Sequence, residues 1–300
     1  MQFLVTGGTG FIGRHVCRSL IAAGHQVAAV SRTPTAPAAG VEMLAADLLQ
    51  PGAAAQLFAG RSIDRVIHLA WTVEHGRFWT DPANLDWLAA TMHLARAVAD
   101  AKVPHLTVTG TCFEYDWPAD GDCEPDLTPT TAHTLYDAAK DACHRVLAAH
   151  AAQAGYGLAW ARIFHLYGPD EHPNRLVSSV ARALVSGEPA RTSRGLPLRD
   201  FMDVRDAGHA IARVAEAAHA GSINIASGEP VTVAQVVRML GDLAGRPDLI
   251  RIGALPDRDE PPRITADVTG LRAICGLPAH RLEHGLSDAI DAWRESRPAG

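Results

Sequence analysis

A tyrosine and a lysine four residues apart, Tyr136 and Lys140, form the pair in this sequence best suited to acid–base chemistry. On a helix, side chains at this spacing project from the same face. A phenol normally has a pKa of about 10, and a neighbouring ammonium lowers it because it stabilises the phenolate. The pair therefore predicts a proton donor or acceptor that works near neutrality. The alternative is a surface tyrosine with a lysine nearby, because Y-x-x-x-K is a common pattern.

Three glycines, Gly7, Gly10 and Gly13, follow a short apolar strand at residues 1–5. At this spacing the first glycine allows a tight turn, the second lets a pyrophosphate approach the backbone, and the third lets a helix pack on the sheet. The phosphates then meet free N–H groups at the positive end of that helix. A generic strand–helix turn is the alternative, but it leaves the three spaced glycines unexplained. The predicted cofactor contacts in this loop are Gly7, Thr9, Gly10, Phe11, Ile12 and Gly13.

The end of the second predicted strand, Val30-Ser31-Arg32, favours NADP(H) over NAD(H) as the cofactor. Proteins that bind NAD place an acidic residue here, which accepts hydrogen bonds from the ribose 2′-hydroxyl. In this chain no carboxylate is present to repel a 2′-phosphate. Ser31 can donate a hydrogen bond to that phosphate, and Arg32 can pair with it.

The composition excludes several classes of function. The net charge of −6 and the absence of a Lys/Arg cluster argue against a nucleic-acid surface. No apolar run is long enough to cross a bilayer and no signal peptide precedes the first strand, so we expect a cytoplasmic protein without a membrane partner. The five cysteines include no C-x-x-C pair and the 15 histidines no H-E-x-x-H motif, so we expect reduced thiols and no metal site.

Hydrophobic periodicity alternates between strand and helix types, which predicts βα units around a parallel sheet. The predicted strands of this sheet are residues 3–5, 26–30, 41–45, 65–69, 105–109 and 158–163. The predicted helices between them are residues 14–23, 52–58, 85–101 and 132–154. Beyond them we expect helices at residues 176–185, 206–217, 233–243 and 286–295, strands at 199–204 and 222–225, and a loop at 253–263.

These elements predict an α/β fold, a doubly wound parallel sheet of the Rossmann type with a smaller C-terminal α/β lobe. The predicted dinucleotide-binding domain covers residues 1–168, and residues 200–226 return to it. The predicted substrate-binding lobe covers residues 169–199 and 227–300.

Further motifs extend the pattern along the chain: Asp47-Leu48, His68-Leu69-Ala70, Asn84, the R-I-F-H-L-Y-G-P run that starts at Arg162, and the R-D-F-M-D-V run that starts at Arg199. With the glycine motif and the Tyr136/Lys140 pair, they make the chain resemble the extended short-chain dehydrogenase/reductase family over essentially its whole length. The resemblance is to the branch of nucleotide-sugar epimerases, dehydratases and ketoreductases.

The resemblance implies a third catalytic group and more cofactor contacts. In the family a Ser or Thr lies four residues before a tyrosine, which is Thr111 here, and its hydroxyl would hydrogen-bond the reacting carbonyl or hydroxyl. The alternative is a threonine that only satisfies backbone groups at the strand end. The further cofactor-binding positions that the family implies are Asp47, Leu48, Leu69, Ala70, Tyr136 and Lys140.

The resemblance also implies four positions that bind a nucleotide-sugar substrate. Arg199 opens the motif whose arginine contacts the diphosphate, and Arg258 resembles a later nucleotide-binding arginine. His165 replaces an asparagine that helps to hold the diphosphate, and the alternative is a packed neutral histidine. Arg175 matches the family's residue in the loop after Y-G-P, with His172 close by.

Two departures from the family pattern narrow the chemistry. Dehydratases carry an Asp-Glu pair directly after the catalytic Thr, whereas this chain has Cys112-Phe113, so dehydration lacks its acid and base. Epimerases that act at C3 and C5 carry a cysteine two positions after the Ser or Thr, where this chain has Phe113. We expect Cys112 to be a small buried residue rather than a nucleophile.

The function predicted on these grounds is NADPH-dependent reduction of a 4-keto, 6-deoxy nucleotide sugar by Thr111, Tyr136 and Lys140. The same groups serve a nucleotide-sugar C4 epimerase, which is the first alternative. A non-catalytic NADP-binding regulator and a reductase of a non-sugar carbonyl are alternatives from other classes. The resemblance also implies a homodimer formed through the helices that carry Asn84 and Tyr136.

Overall fold

The structure is a computed structural model that describes residues 1–33 and 35–295. Pro34 and the last five residues of the predicted lobe therefore lie outside the described residues. Within the described part, no helix combines the length and the apolar character that a membrane span requires.

The first half of the chain alternates strands and helices in nearly regular order. In chain order its elements are β1 (Gln2–Thr6), α1 (Gly13–Ala22), β2 (Gln26–Ser31), β3 (Val41–Ala45), α2 (Ala53–Gln56), β4 (Arg65–His68), α3 (Ala83–Asp100), β5 (His105–Thr111), α4 (Leu135–Ala154), β6 (Gly157–Ile163) and β7 (His165–Tyr167). A turn of 3-10 helix, Cys112–Glu114, follows β5 directly.

The second half has shorter strands. In chain order its elements are α5 (Leu176–Ser186), β8 (Ala190–Thr192), β9 (Leu198–Asp203), α6 (Val204–Glu216), β10 (Gly221–Ile225), β11 (Pro230–Thr232), α7 (Val233–Leu243), β12 (Ile250–Ile252), β13 (Arg263–Ile264), α8 (Thr269–Cys275) and α9 (Leu282–Glu295).

The large sheet is parallel and has the strand order β10-β6-β5-β4-β1-β2-β3, which confirms the predicted doubly wound fold. Alternate residues of β1 face opposite sides of this sheet. Phe3 and Val5 pack in the cluster that includes α1 and α6, whereas Leu4 packs in the cluster that includes α3 and α4. Because both faces are covered, the strands are nearly continuous apolar runs.

A smaller sheet forms beside the carboxyl ends of the large one. Strand β9 pairs with β7, β11 and β13, and helices α5, α7 and α9 share a separate apolar cluster. Residues 165–167 and 198–203 form β7 and β9 of the smaller sheet, whereas α6 packs on the large sheet and β10 pairs with β6 in it. The division into a dinucleotide-binding domain and a substrate-binding lobe stays a prediction.

Several predicted helix boundaries shift for identifiable reasons. The helix predicted at 132–154 begins at Leu135, because the Thr134 side chain accepts a hydrogen bond from the Asp137 amide and the Asp137 carboxylate accepts one in return. The last helix begins at Leu282 rather than at residue 286. The strands β7, β8, β11, β12 and β13 were not predicted, since two or three residues carry too little periodicity. The seven-residue helix α8 was not predicted either.

Candidate active site

The glycine loop after β1 is held by close backbone approaches that exclude side chains. Gly7 has a φ of +69°, and a Cβ there would lie 2.9 Å from the amide nitrogen of Ala70. A Cβ on Gly13 would lie only 2.1 Å from the carbonyl oxygen of Gly7. The first turn of α1 therefore packs directly against the end of β1, as the third glycine of the motif predicts.

The loop has the features that a pyrophosphate requires. Gly10 is exposed, and a Cβ there would meet only the Gly7 carbonyl oxygen, at 3.2 Å. No side chain caps α1 at Ile12, and its first turn carries no acidic residue. Open space over Gly10, uncapped N–H groups and the positive end of a helix fit the phosphates of a dinucleotide. Phe11 and Ile12 lie between these two features.

At the far end of this loop, the predicted ribose-binding residues lie together. The Thr9 hydroxyl donates to the Ser31 hydroxyl oxygen at 3.1 Å, and that oxygen also accepts from the Thr33 amide at 3.3 Å. Arg32 is exposed directly after β2. No acidic residue ends β2, so a cation and a hydroxyl occupy the place where NAD-binding folds carry a carboxylate.

Two further predicted cofactor segments lie at the carboxyl ends of β3 and β4. Asp47 caps a local turn, where its Oδ1 accepts from the Leu49 amide at 3.1 Å, and Leu48 is buried. Leu69 and Ala70 are partly buried and pack against the two apolar clusters on either face of the large sheet. These segments and the glycine loop meet at one edge of the large sheet.

His68, at the end of β4, is a neutral buried histidine under the site. Its Nδ1 lies 2.6 Å from the Thr6 hydroxyl, and its Nε2 lies 3.0 Å from the Thr91 hydroxyl. Thr91 donates its own proton to the Trp87 carbonyl, which assigns the proton of His68 to Nε2. Burial, and to a lesser degree the Lys140 ammonium, lowers the pKa of His68 to about 3.

Lys140 lies in the interior, where its ammonium contacts both a carbonyl and an aromatic ring. Its Nζ donates to the Thr109 carbonyl at 2.9 Å and lies 3.8 Å from the centroid of the Trp71 ring. Trp71 is fixed in turn, because its Nε1 donates to the Asn84 Oδ1 at 2.8 Å. Burial lowers the pKa of Lys140 to about 8, so the ammonium form still predominates at pH 7.

Tyr136, in the first turn of α4, lies within a cage of aromatic rings. The Phe78 ring meets it edge-on at 4.9 Å between centroids, and Trp79 does so at 5.9 Å. The Tyr136 amide donates to the Trp79 carbonyl at 3.1 Å. The segment between β4 and α3 thus encloses the phenol. Phe78 lies at the site and also packs against the aromatic rings there.

The prediction that the pKa of Tyr136 is lowered is wrong for the protein without a bound cofactor. Burial, and next the negative charge of Glu114, raises the pKa of this phenol above its ordinary value, while the nearby Thr111 side chain opposes the shift. Lys140 is on the same helix, but its ammonium binds the Thr109 carbonyl. The phenol is therefore the acid form at neutral pH.

Thr111 is held at the junction of β5 and the 3-10 turn. Its amide donates to the Glu114 Oε1 at 2.7 Å, and its hydroxyl oxygen accepts from the Phe113 amide at 3.3 Å. A hydroxyl that accepts through one lone pair still carries a proton that it can donate. Thr111 therefore satisfies a backbone group and also presents a donor beside Tyr136.

Glu114 is a residue near the site that the sequence patterns did not single out. It is fully buried, and burial raises the pKa of its carboxyl while Arg162 opposes that shift. Its Oε2 accepts from Trp160 and from Arg162, each at 2.8 Å, so the carboxylate is bonded to the neighbouring strand β6. An arginine near the end of a buried strand was the available signal, because a buried cation requires an anion.

His165, at the start of β7, packs between two aromatic rings. Its ring centroid lies 5.9 Å from that of Phe113 and 5.8 Å from that of Phe201. Burial, and then the charges of Arg199 and Arg175, lowers the pKa of His165 to about 3. His165 is therefore neutral and packed between rings, and its contact with a substrate diphosphate stays a prediction.

The predicted substrate arginines differ in burial. Arg199 is only 3% exposed, and its Nη2 donates to the Glu260 Oε2 at 2.7 Å. Arg175 is half-exposed and pairs with Glu171 at 3.6 Å, and Arg258 is exposed.

The two exposed arginines, Arg175 and Arg258, both lie near His75. The His75 ring stacks on His172 at 5.2 Å, and burial followed by His172, Arg175 and Arg258 lowers the pKa of His75. The loop after β4 and the loop after β7 therefore meet at the His75 and His172 rings, with Arg175 and Arg258 close enough to act on His75. Within residues 1–33 and 35–295, no cluster of three His, Cys, Asp or Glu side chains could hold a metal ion.

Comparison with known proteins agrees with this arrangement. The profile of the NAD dependent epimerase/dehydratase family matches residues 3–226. Over an alignment of 313 residues, the chain is 27% identical to dTDP-4-dehydro-6-deoxy-D-allose reductase of Streptomyces bikiniensis, with 97% of this chain and 95% of that protein covered.

Two solved structures superpose on nearly the whole chain. MoeE5 in complex with UDP-glucuronic acid and NAD is 30% identical, with a TM-score of 0.85 over 99% of this chain and 100% of that chain. UDP-glucose 4-epimerase of Thermus thermophilus in complex with NAD is 24% identical, with a TM-score of 0.87 over 99% of this chain and 100% of that chain. The second structure supports the fold alone.

Proposed function

The chain belongs to the NAD-dependent epimerase/dehydratase family, and we propose that it reduces the 4-keto group of a nucleotide sugar with NADPH. Its family and relatives make it an enzyme of nicotinamide-dependent oxidoreductase or epimerase chemistry on nucleotide sugars. The finer assignment, to a 4-keto-6-deoxy sugar, agrees with the name of the Streptomyces bikiniensis relative, a reductase of a 4-dehydro-6-deoxy sugar.

The observation that carries this proposal is the convergence of two hydroxyl donors at the end of β5. The Thr111 oxygen accepts from the Phe113 amide, so its proton points elsewhere. The Tyr136 phenol lies near the Thr111 side chain and stays protonated, because burial raises its pKa. A carbonyl oxygen only accepts hydrogen bonds, and two adjacent O–H donors suit it well.

Each residue then has a role in the reduction. When bound, the dihydronicotinamide supplies the hydride. Thr111 polarises the ketone, and Tyr136 donates a proton to the oxygen as its negative charge develops. Lys140 holds the nicotinamide ribose, and its ammonium, next to the Trp71 ring, stabilises the phenolate that remains.

A C4 epimerase is the second candidate, because UDP-glucose 4-epimerases are among the relatives of this chain. The same three groups serve both reactions. An epimerase must also oxidise C4, which requires a phenolate, whereas burial favours the phenol of Tyr136 here. Dehydration has less support, since Cys112 is buried, burial raises the pKa of its thiol well above the ordinary value, and Phe113 has no acid–base group.

We predict that Arg32→Asp lowers the ratio of kcat/KM for NADPH to kcat/KM for NADH by at least about tenfold, because it replaces a phosphate partner with a repelling carboxylate. Steady-state kinetics with both cofactors measures the ratio. Arg18→Asp, on the exposed part of α1, is the matched control and leaves the ratio unchanged. A ratio that stays constant in Arg32→Asp contradicts the NADPH assignment and returns the cofactor to NAD, which both superposed structures contain.

We predict that Arg199→Ala raises KM for the sugar nucleotide by about 10- to 100-fold and changes kcat little, because a buried guanidinium that binds a diphosphate contributes charged hydrogen bonds. Arg194→Ala removes an exposed arginine that pairs with Asp257 in the same part of the chain, and is expected to leave KM unchanged. An unchanged KM in Arg199→Ala indicates an uncharged, non-sugar substrate.

The predicted homodimer and substrate lobe stay proposals of the same account. Leu85 on α3 and Val146 on α4 are apolar and 56% and 51% exposed, and a dimer formed through these helices would cover them. In this proposal the large sheet binds the cofactor, because the glycine loop lies on it, and the smaller sheet binds the substrate, because Arg199 lies on β9.

The proposed function is tested with purified protein, NADPH and a panel of 4-keto-6-deoxy nucleotide sugars, followed by absorbance of the reduced nicotinamide. Stoichiometric oxidation with one member supports the reductase. Interconversion of a nucleotide hexose with its C4 epimer, without net oxidation, supports the epimerase. Cofactor binding without turnover of any member supports a non-catalytic regulator.

A further inference from the structure

Glu114 is a fully buried carboxylate, and its side-chain hydrogen-bond partners in the described part of the chain are all N–H donors. Its Oε1 accepts from the Thr111 amide at 2.7 Å. Its Oε2 accepts from the Trp160 indole and the Arg162 guanidinium, each at 2.8 Å. A protonated carboxyl would turn an O–H towards a donor, so this set of partners selects the ionised form.

The protein is shaped to bring this carboxylate to the end of β5. A Cβ on Gly110 would lie 2.3 Å from the Trp160 Nε1 and 2.6 Å from the Glu114 Oε1. Gly110 also lies directly opposite Arg162 in the register of β5 and β6. The missing side chain therefore creates the space in which Glu114 reaches the amide of the next residue, Thr111.

Two consequences reach the reacting groups. The bond to the Thr111 amide fixes the 3-10 turn in which the Phe113 amide meets the Thr111 hydroxyl oxygen, and this contact directs the Thr111 proton. The Glu114 charge also acts on the Tyr136 phenol: after burial, it is the largest cause of the raised pKa of Tyr136.

Other charged and titratable groups around Tyr136 also act on the pKa of its phenol. Cys112 on the 3-10 turn and Asp137 on α4 act on the phenol in the same direction as Glu114 but more weakly. Lys140 lies one turn along α4, and Arg162 on β6 partly offsets the Glu114 charge.

We propose that Glu114 is a positioning residue of the reductase: its bond to the Thr111 amide holds Thr111 as a hydroxyl donor, and its buried negative charge acts on the neighbouring catalytic groups. The proposal rests on the proposed function. It assigns to this chain a buried carboxylate that favours the reductive direction, in which the tyrosine must begin as an acid.

The test compares Glu114→Gln with wild type. Glutamine keeps an acceptor for the Thr111 amide and removes the charge. We expect kcat to fall by about tenfold with KM unchanged, and the Tyr136 phenol to ionise about one pH unit lower. The phenol is titrated by difference absorbance against Tyr136→Phe, in the complex with the oxidised cofactor, whose positive ring brings the ionisation into an accessible range.

Two further variants separate this role from simple support of the fold. Glu114→Asp keeps the charge and withdraws it from the Thr111 amide, so kcat falls while the phenol titration stays in place. Tyr115→Phe removes a hydroxyl from the same buried network, where it contacts Arg162 and Asn224, and moves neither kcat nor the titration.

Wild-type kcat and an unmoved titration in Glu114→Gln overturn the proposal, as do equal effects of Tyr115→Phe. If Glu114→Gln does not fold, Glu114→Asp decides: a reduced kcat at constant KM supports the proposal, and an unchanged kcat overturns it. The titration uses no substrate, so it is independent of the proposed function. If none of the keto sugars is reduced but the titration still shifts in Glu114→Gln, the proposed function is disproved and the action of Glu114 on the phenol is retained.

Discussion

A Tyr136→Phe variant is expected to lose about a thousandfold in kcat, because a positioned general acid typically contributes 10²- to 10⁴-fold. The substitution removes only the hydroxyl. The ring keeps its edge contacts with Phe78 and Trp79, and the amide keeps its bond to the Trp79 carbonyl. Stability and cofactor affinity are therefore expected to stay close to those of wild type.

Kinetics with the active keto sugar and a fluorescence titration of the reduced cofactor measure the two effects separately. Tyr156→Phe is the matched control: this tyrosine is also buried, and its hydroxyl contacts His150 near the amino end of β6. The control is expected to keep wild-type kcat. Substantial turnover by Tyr136→Phe would remove the phenol from the mechanism.

A Gly13→Ala variant is expected to lose cofactor binding and about 3 kcal/mol of unfolding free energy, because overpacking against rigid backbone is poorly relieved. The added Cβ would lie 2.1 Å from the Gly7 carbonyl oxygen and 2.7 Å from the Gly8 Cα. To relieve this contact, α1 must move away from β1, which displaces the uncapped helix end from the turn at Gly7.

Denaturant unfolding and cofactor titration measure these losses. Gly270→Ala is the control, because a Cβ there meets nothing within 4 Å and its backbone is not in the left-handed region. That variant is expected to bind the cofactor normally. Normal cofactor affinity in Gly13→Ala would show that the loop does not hold the pyrophosphate.

The fold of the first half could be predicted because its elements are long and strongly periodic. Strands such as β1, β2 and β6 are apolar runs bounded by turn residues, and the glycine motif fixes the order strand, turn, helix. The smaller sheet was less predictable. Strand β7, of three residues, pairs with β9, and no local pattern reports a partner more than 30 residues away.

The candidate site was predictable where chemistry is local in sequence. The spacing of Tyr136 and Lys140 indicates a shared helix face, but not that the ammonium binds the Thr109 carbonyl. The direction of the Tyr136 pKa depended on burial and on Glu114, neither of which the spacing reports. Glu114 and Arg162 are 48 residues apart, and only the pairing of β5 with β6 brings them together.

The central claim is that hydride passes from NADPH to C4 of the keto sugar, and isotope transfer tests it most directly. The enzyme is given a 4-keto-6-deoxy nucleotide sugar and NADPH with both C4 hydrogens of the dihydronicotinamide replaced by deuterium. The account predicts one deuterium at C4 of the product for each cofactor oxidised. A product without deuterium, or C4 epimers that interconvert while the labelled cofactor is unchanged, would contradict it.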